Sequence, residues 1–261
     1  MNNINKADKM NKTVEILGIP FHSLKFEEAQ DLLESYLNPE KSHKNHIVVT
    51  PNPEGVMQAK RNPAFREALL GADLRLADGT GIVLASRYIR NPLPTRVRGV
   101  DTIFALLERL TKKDRKHTAF FLGGAPGIPE RAKANKESRF AALSVIGQHH
   151  GYYTPEEEAI ILKELNRLKP DILLVCKGMP HSEIWAHTHR DIPARITLCL
   201  GGTMDIMAGN VKLTPAFIRK IGLEWLYRLL RQPSRWKRML DIPRFVWAVI
   251  RNGRSPDTDS K

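Results

Sequence analysis

The sequence predicts an α/β protein: a mostly parallel sheet with helices on both faces, followed by a basic, helical C-terminal appendage. Three observations predict it. Short apolar runs alternate with helical patterns over about 200 of the 261 residues, the rhythm of strand–helix–strand units. The runs DILLVC at 171–176 and ITLCL at 196–200 are apolar almost throughout, as strands covered on both faces are. Beyond Phe217 this rhythm stops, and Arg and Trp accumulate instead.

In chain order, VEILGIPF at 14–21 reads as an opening strand with a Gly-Ile-Pro turn, and 26–37 as an amphipathic helix with Leu32, Leu33 and Tyr36 on its apolar side. The organising stretch is 47–81. There IVV stops at Thr50-Pro51-Asn52-Pro53-Glu54, LRLA stops at Asp78-Gly79-Thr80-Gly81, and a helical pattern follows each turn. A helix at 81–89 is broken by Asn91-Pro92-Leu93-Pro94. Asp101 is expected to cap a helix at 102–110. A third unit has a strand at 118–122, a GGAPG turn at 123–127 and a helix at 128–136. A short strand at 143–146 leads to His149 and His150, and Thr154-Pro155-Glu156-Glu157 opens the next helix with a cap, a proline and acids. The strand at 196–200 ends at Gly201-Gly202-Thr203-Met204-Asp205.

Hydrophobic residues make up 42% of the chain, enough for one large core at 13–216. No apolar run approaches the roughly 18 residues that span a bilayer. Residues 1–12 lack the apolar centre of a signal peptide, so a cytosolic chain with polar tails at 1–12 and 255–261 is expected. Cys176 and Cys199 lie in the apolar runs and read as buried, reduced thiols. The spacings of His149, His150, His181, His187 and His189 match no common zinc pattern, so no metal is expected.

The net charge of +13 calls for an anionic partner, and its location narrows the choice. Residues 217–254 hold ten Lys or Arg against two acids, a balance of +8, together with Trp225, Trp236 and Trp247 at eleven-residue intervals. Pro233 and Pro243 divide this appendage into two or three short helices. Arg and Trp on short amphipathic helices suit an anionic membrane surface; a helical subdomain with a solvated basic face is the alternative. The sheet half carries no comparable basic run and no nucleic-acid motif, so nucleic acid is not expected.

In an open α/β sheet, ligands bind beyond the carboxyl ends of the strands. That rule selects Thr50, Asn52 and Asp78. Asp78 is either a general base or a helix cap, and Thr50 and Asn52 either contact substrate or build the Pro-rich turn. The turn at Gly123 and Gly124, and that at Gly201 and Gly202 with Asp205, let backbone approach a phosphate, or an acid approach a ribose. Neither is a GxGxxG fingerprint or a P-loop, which disfavours a nicotinamide oxidoreductase.

Seven segments in order resemble the WecG/TagA/CpsF family of bacterial glycosyltransferases: VVTPNPE at 48–54, LRLADGTGIVLASR at 74–87, RVRGVD at 96–101, FLGGAPG at 121–127, HHGYY at 149–153, LGGTMDIMAG at 200–209 and GLEWLYRLLRQPSRWKR at 222–238. The resemblance implies a Rossmann-like fold that transfers a sugar, typically N-acetylmannosamine, from a UDP donor to a polyprenyl-diphosphate-linked saccharide. It implies inversion, no required cofactor or metal, and action peripheral to the inner face of the plasma membrane in cell-surface polymer synthesis. By position it assigns the base to Asp78 with Thr50, substrate contacts to Asn52, Arg98 and Ser182, and diphosphate contacts to Arg228, Arg231 and Arg238. UDP contacts fall on Gly123, Gly124, Gly201, Gly202 and Asp205, and a homo-oligomer is compatible with the family. Two segments depart from the pattern: Ser182 stands where glutamine is usual, and Leu213-Thr214-Pro215 where Arg-Ala-Pro is usual. Another donor such as UDP-glucose, or a non-catalytic relative that binds nucleotide sugar or lipid, are the alternatives.

Overall fold

The computed structural model describes residues 12–38, 40, 44–112, 116–135, 143–215, 217–218, 224–231, 233 and 236–252. The expected polar termini, Lys136, Arg219, Lys220, Arg235 and Arg254 lie outside them.

The chain opens with a hairpin rather than a single strand. β1 (Thr13–Ile16) pairs antiparallel with β2 (Ile19–His22). Leu17 and Gly18 both take positive φ, which tightens the link to a two-residue turn. Then come α1 (Phe26–Tyr36), β3 (His46–Val49), α2 (Pro53–Ala59), α3 (Pro63–Gly71), β4 (Leu74–Arg75), α4 (Thr80–Tyr88), α5 (Gly99–Thr111) and β5 (His117–Gly123). The core closes with α6 (Ile128–Ala134), β6 (Leu143–His149), α7 (Pro155–Leu168), β7 (Ile172–Cys176), α8 (His181–Thr188), β8 (Ile196–Cys199) and α9 (Thr203–Met207). The appendage contributes α10 (Glu224–Arg231), α11 (Trp236–Met239) and α12 (Asp241–Arg251).

Six strands form one parallel sheet in the order β4-β3-β8-β7-β5-β6. Side chains alternate between its faces. Val48, Leu174 and Leu198 join α1, α5, α6 and α9 on one side. Ile47, Val49 and Cys199 meet the hairpin, α2, α3, α4 and α12 on the other, and there Leu173 and Val175 also meet α7 and α8. Both sheet faces are thus covered, as the apolar strands require. Both cysteines are free and buried, and they face opposite sides of the sheet.

Two helix starts are instructive. Thr154 and Glu157 form a reciprocal capping box on α7, with Glu157 N–H donating to Thr154 Oγ1 at 3.3 Å and Thr154 N–H to Glu157 Oε2 at 2.8 Å. The helix expected from Thr102 instead begins at Gly99, with Arg98 at the cap position. Asp101 lies in the first turn, where its carboxylate pairs with Arg98 at 2.8 Å instead of capping. A carboxylate there also suits the positive end of the helix dipole.

The appendage is not a detached tail. Phe245, Ala248 and Val249 of α12 are buried, and Phe245 and Val249 belong to the same apolar cluster as α2 and α4. Pro243 sits in the first turn of α12, where its missing N–H removes no helical bond.

Candidate active site

All six parallel strands end on one edge, so their turns form a continuous rim. Leu76 N–H donates to Val49 O at 2.9 Å, and Asp78 N–H to Pro51 O at 3.2 Å. The Thr50–Asn52 and Asp78–Gly79 turns therefore run side by side. Asn52 caps α2, its Oδ1 accepting from Gly55 N–H at 2.8 Å. Gly79, not Asp78, occupies the cap position of α4; at φ 95° it adopts a backbone conformation that favours glycine. Asp78 and Thr50 are both half-buried.

The N-terminus of α5 closes this half of the rim. Val97 N–H donates to Ala77 O at 2.9 Å, which sets Arg98 beside Asp78. Gly99 lies against Thr50: a Cβ at that position would come within 2.9 Å of Thr50 Oγ1. Arg98 is only 4% exposed. Its Nη1 donates to Asp101 at 2.8 Å and its Nη2 to Glu224 of α10 at 2.7 Å. Burial works against its charge, but Glu224, Asp101 and Asp78 outweigh it and raise the guanidinium's pKa.

The other half of the rim lies over β5, β6 and β7. Gly123 takes φ 129°, and a Cβ there would fall 2.3 Å from the Cys176 carbonyl carbon, so the turn needs glycine. Gly124 N–H donates to Cys176 O at 3.0 Å, and Gly151 N–H to Gly124 O at 2.8 Å. Lys177 crosses this platform and donates to Tyr153 Oη at 2.5 Å. Tyr153 in turn meets Glu158 at 3.3 Å, and Glu158 accepts from Trp185 Nε1 at 2.6 Å. Burial lowers the Lys177 pKa, against the pull of Glu158. Gly201 and Gly202 turn between β8 and α9, and Asp205 lies half-buried in the first turn of α9.

Ser182 is fully buried in the first turn of α8, where its Oγ accepts from Lys177 N–H at 2.9 Å. Next to it is a residue that sequence reasoning missed. Glu183 is buried, its Oε2 has no hydrogen-bond partner among the described residues, and burial pushes its carboxyl up to about 8. The histidines are dispersed: His187 packs against Gly71, His189 against Trp185, and His149 at the end of β6. Among the described residues no group of three His, Cys, Asp or Glu is arranged around a common point.

The appendage reaches the rim through ion pairs. Besides Glu224–Arg98, Arg238 pairs with Glu54 of α2. Asp241 receives Arg61 in a bidentate pair at 2.9 and 2.6 Å and Arg244 at 3.2 Å. Burial opposes the Asp241 charge, but these two arginines outweigh it and lower its pKa. Arg231 is exposed, its guanidinium 5.5 Å from the Tyr227 ring centroid. The Arg228 side chain lies outside the described residues. No local signal marks Glu224 or Asp241 as an anchor; Arg98 and Arg61, the partners that tie them to the core, are remote in sequence.

A parallel α/β sheet with glycine turns, a carboxylate and a hydroxyl gathered on one rim under a basic helical cover defines an α/β protein of the class that binds its ligands at the carboxyl ends of its strands. Comparison with known proteins narrows the class. The profile of the glycosyl transferase WecG/TagA/CpsF family matches residues 14–258, and the chain belongs to that family. Similar curated proteins are the N-acetylglucosaminyldiphosphoundecaprenol N-acetyl-beta-D-mannosaminyltransferases of three bacteria. The Bacillus spizizenii enzyme is 35% identical over 82% of this chain and 82% of its own. That of Bacillus subtilis is 30% identical over 95% and 94%. That of Staphylococcus aureus is 31% identical over 92% and 93%.

Proposed function

We propose that this chain transfers N-acetylmannosamine from UDP to N-acetylglucosaminyl-diphospho-undecaprenol, with inversion at the anomeric carbon. The names of its relatives support the substrates, and one observation supports the chemistry. Asp78, Thr50 and Arg98 converge on one sheet edge directly beneath the appendage.

Asp78 accepts the proton of the acceptor hydroxyl as that oxygen bonds to the anomeric carbon. The bond from that carbon to the donor diphosphate breaks, and its electron pair leaves on UDP. Thr50, held against Gly99, orients the acceptor. Asn52 contributes by fixing the turn between them through its cap. Charge growing on the diphosphate is met by Arg228, Arg231 and Arg238 and by the amides of Gly123, Gly124, Gly201 and Gly202. Asp205 takes the ribose.

The appendage also docks on the membrane that holds the lipid-linked acceptor. On α12, Val246, Trp247 (60% exposed) and Ile250 face outward, and Arg251 stacks 4.9 Å from the Trp247 ring centroid. Leu84 and Tyr88 on α4, which packs beside α12, are exposed as well. Apolar side chains mixed with arginines suit a headgroup interface. Among the described residues no helix is long and apolar enough to cross a membrane.

A second reading changes the donor to another UDP-hexose such as glucose. It is favoured by Ser182, whose hydroxyl is engaged by Lys177 N–H where the family pattern has a longer glutamine. The test for both is UDP release from a panel of UDP-sugars, with a short-chain polyprenyl-diphosphate N-acetylglucosamine acceptor, for wild type and Asp78→Asn. Acceptor-dependent release with UDP-N-acetylmannosamine, reduced about a thousandfold in the variant, is expected. Turnover with a different sugar selects the second reading. Full activity of Asp78→Asn overturns the role of Asp78.

A further inference from the structure

Strand β7 ends between two glycine turns. It lies between β8 and β5 in the sheet. Val175 O accepts from Leu200 N–H at 3.1 Å on one side, and Cys176 O from Gly124 N–H at 3.0 Å on the other. The next residue, Lys177, therefore leaves the sheet with Gly201 and Gly202 on one flank and Gly123 and Gly124 on the other. The turns at 123–127, 149–153 and 201–205 hold no Lys or Arg. Their backbone can offer amide dipoles, and Lys177 is the residue that brings a full positive charge among them.

Lys177 is held at both ends. Ser182 Oγ accepts from its N–H at 2.9 Å and fixes the backbone from which the side chain departs. At the far end Nζ lies 4.0 Å from the Tyr153 ring centroid and donates to Tyr153 Oη at 2.5 Å. Tyr153 Oη donates in turn to Glu158 Oε1 at 3.3 Å. The same oxygen accepts from Trp185 Nε1 at 2.6 Å and lies 3.6 Å from His189 Nε2. Tyr153 thus stands between the ammonium and Glu158, and among the described residues no carboxylate pairs with Nζ directly. One of the three ammonium protons is used on Tyr153, and two remain. Burial has already weakened the hydration of this cation and lowers its pKa. An anionic ligand would restore what burial removes.

We propose that Lys177 is a donor-binding residue: its ammonium, aimed by Tyr153 between the two glycine turns, takes a phosphate oxygen of the UDP diphosphate. A lysine serves there as a point charge, where the turns alone supply only neutral donors. The inference rests on the reading of those turns as UDP contacts.

The test is calorimetric binding of UDP, without acceptor, to full-length wild type, Lys177→Met and Lys177→Gln. Phosphorus NMR of the bound nucleotide at saturating UDP and steady-state kinetics with the short-chain acceptor accompany it, and melting curves check that each variant is folded. UDP affinity should fall about ten- to a hundredfold in both variants, the usual loss for a hydrogen bond to a charged group. The phosphorus resonances of bound UDP should shift. Wild-type affinity in either folded variant overturns the inference, and with a raised acceptor KM it assigns Lys177 to the acceptor's diphosphate instead. A loss of affinity with unmoved phosphorus resonances also overturns it, by placing Lys177 on the base or ribose. A wild type that binds no UDP removes the reading of the glycine turns as well.

Discussion

The rim around Asp78 and the appendage that covers it are held by different forces. The rim is fixed by backbone: Leu76 to Val49, Asp78 to Pro51 and Val97 to Ala77 are main-chain bonds between neighbouring turns, and Gly99 lies on Thr50 without room for a side chain. Among the described residues the appendage is fixed by side chains: the buried Phe245, Ala248 and Val249 of α12 and three sets of ion pairs. Backbone networks between parallel strands open only with the sheet, while ion pairs and one short apolar helix face release locally. A rim fixed by backbone thus sits beneath a cover fixed by side chains, and the cover is expected to release first.

The largest effect that sharpens this contrast is expected at Phe245. It is 2% exposed and seated among residues of α2 and α4. Phe245→Ala should weaken docking of α12 by about 3–5 kcal/mol. If the appendage releases locally, hydrogen exchange should rise in α2, α4 and α12, while the strands of the sheet keep their protection. Equal loss of protection in β3 and β7 would show that cover and core unfold as one unit, and the contrast would fall.

A smaller effect is expected on the outward face of the same helix. Trp247 and Ile250 make no contribution to the apolar core, so replacing both with serine should leave the melting temperature within about 1 °C. Binding to anionic vesicles should weaken about tenfold or more, since each side chain carries roughly 1.5–3 kcal/mol of burial into an apolar phase. Undiminished vesicle binding would assign the exposed face of α12 to some other role.

The same contrast explains what could be read from the sequence. The strand ends at Thr50, Asp78, Gly123 and Gly201 were legible because each turn is written in a few adjacent residues: an apolar run, then Pro, Gly, Asn or Asp. Parallel order then brings them to one edge with no further information. The capping box at Thr154 was equally local. The anchors of the appendage were not legible, because Arg98 and Glu224 are 126 positions apart and Arg61 and Asp241 180 apart. Arg98 also shows how a local cue can mislead. Asp101 reads as a helix cap, yet the helix starts earlier, at Gly99, and Asp101 pairs with the buried Arg98 from within the first turn. Phe245 gave no signal beyond its helical period, and which side of α12 meets the core is a tertiary matter.

The smallest effect concerns a cost on the rigid side. Glu183 is buried behind the rim with one oxygen unpartnered among the described residues, and its carboxyl is pushed up to about 8 by burial, against the opposing bond from its own backbone. A raised carboxyl pKa means that, between about 4.5 and 8, the folded chain keeps a proton that the unfolded chain has released. Stability from this group is therefore fully present below about 4.5 and is lost as the pH rises through about 8. His22, lowered to about 4 by burial and the nearby Arg75 charge, tilts stability the other way at acid pH. Its contribution is common to wild type and any Glu183 variant and cancels in their difference. Glutamine copies the shape of the protonated acid and cannot ionise. Glu183→Gln should therefore melt with the wild type near pH 5 and above it by on the order of 5 °C near pH 8. Melting curves that stay parallel across that range would mean that Glu183 is ionised in the folded state and has found a partner, which would place a second working carboxylate behind the rim.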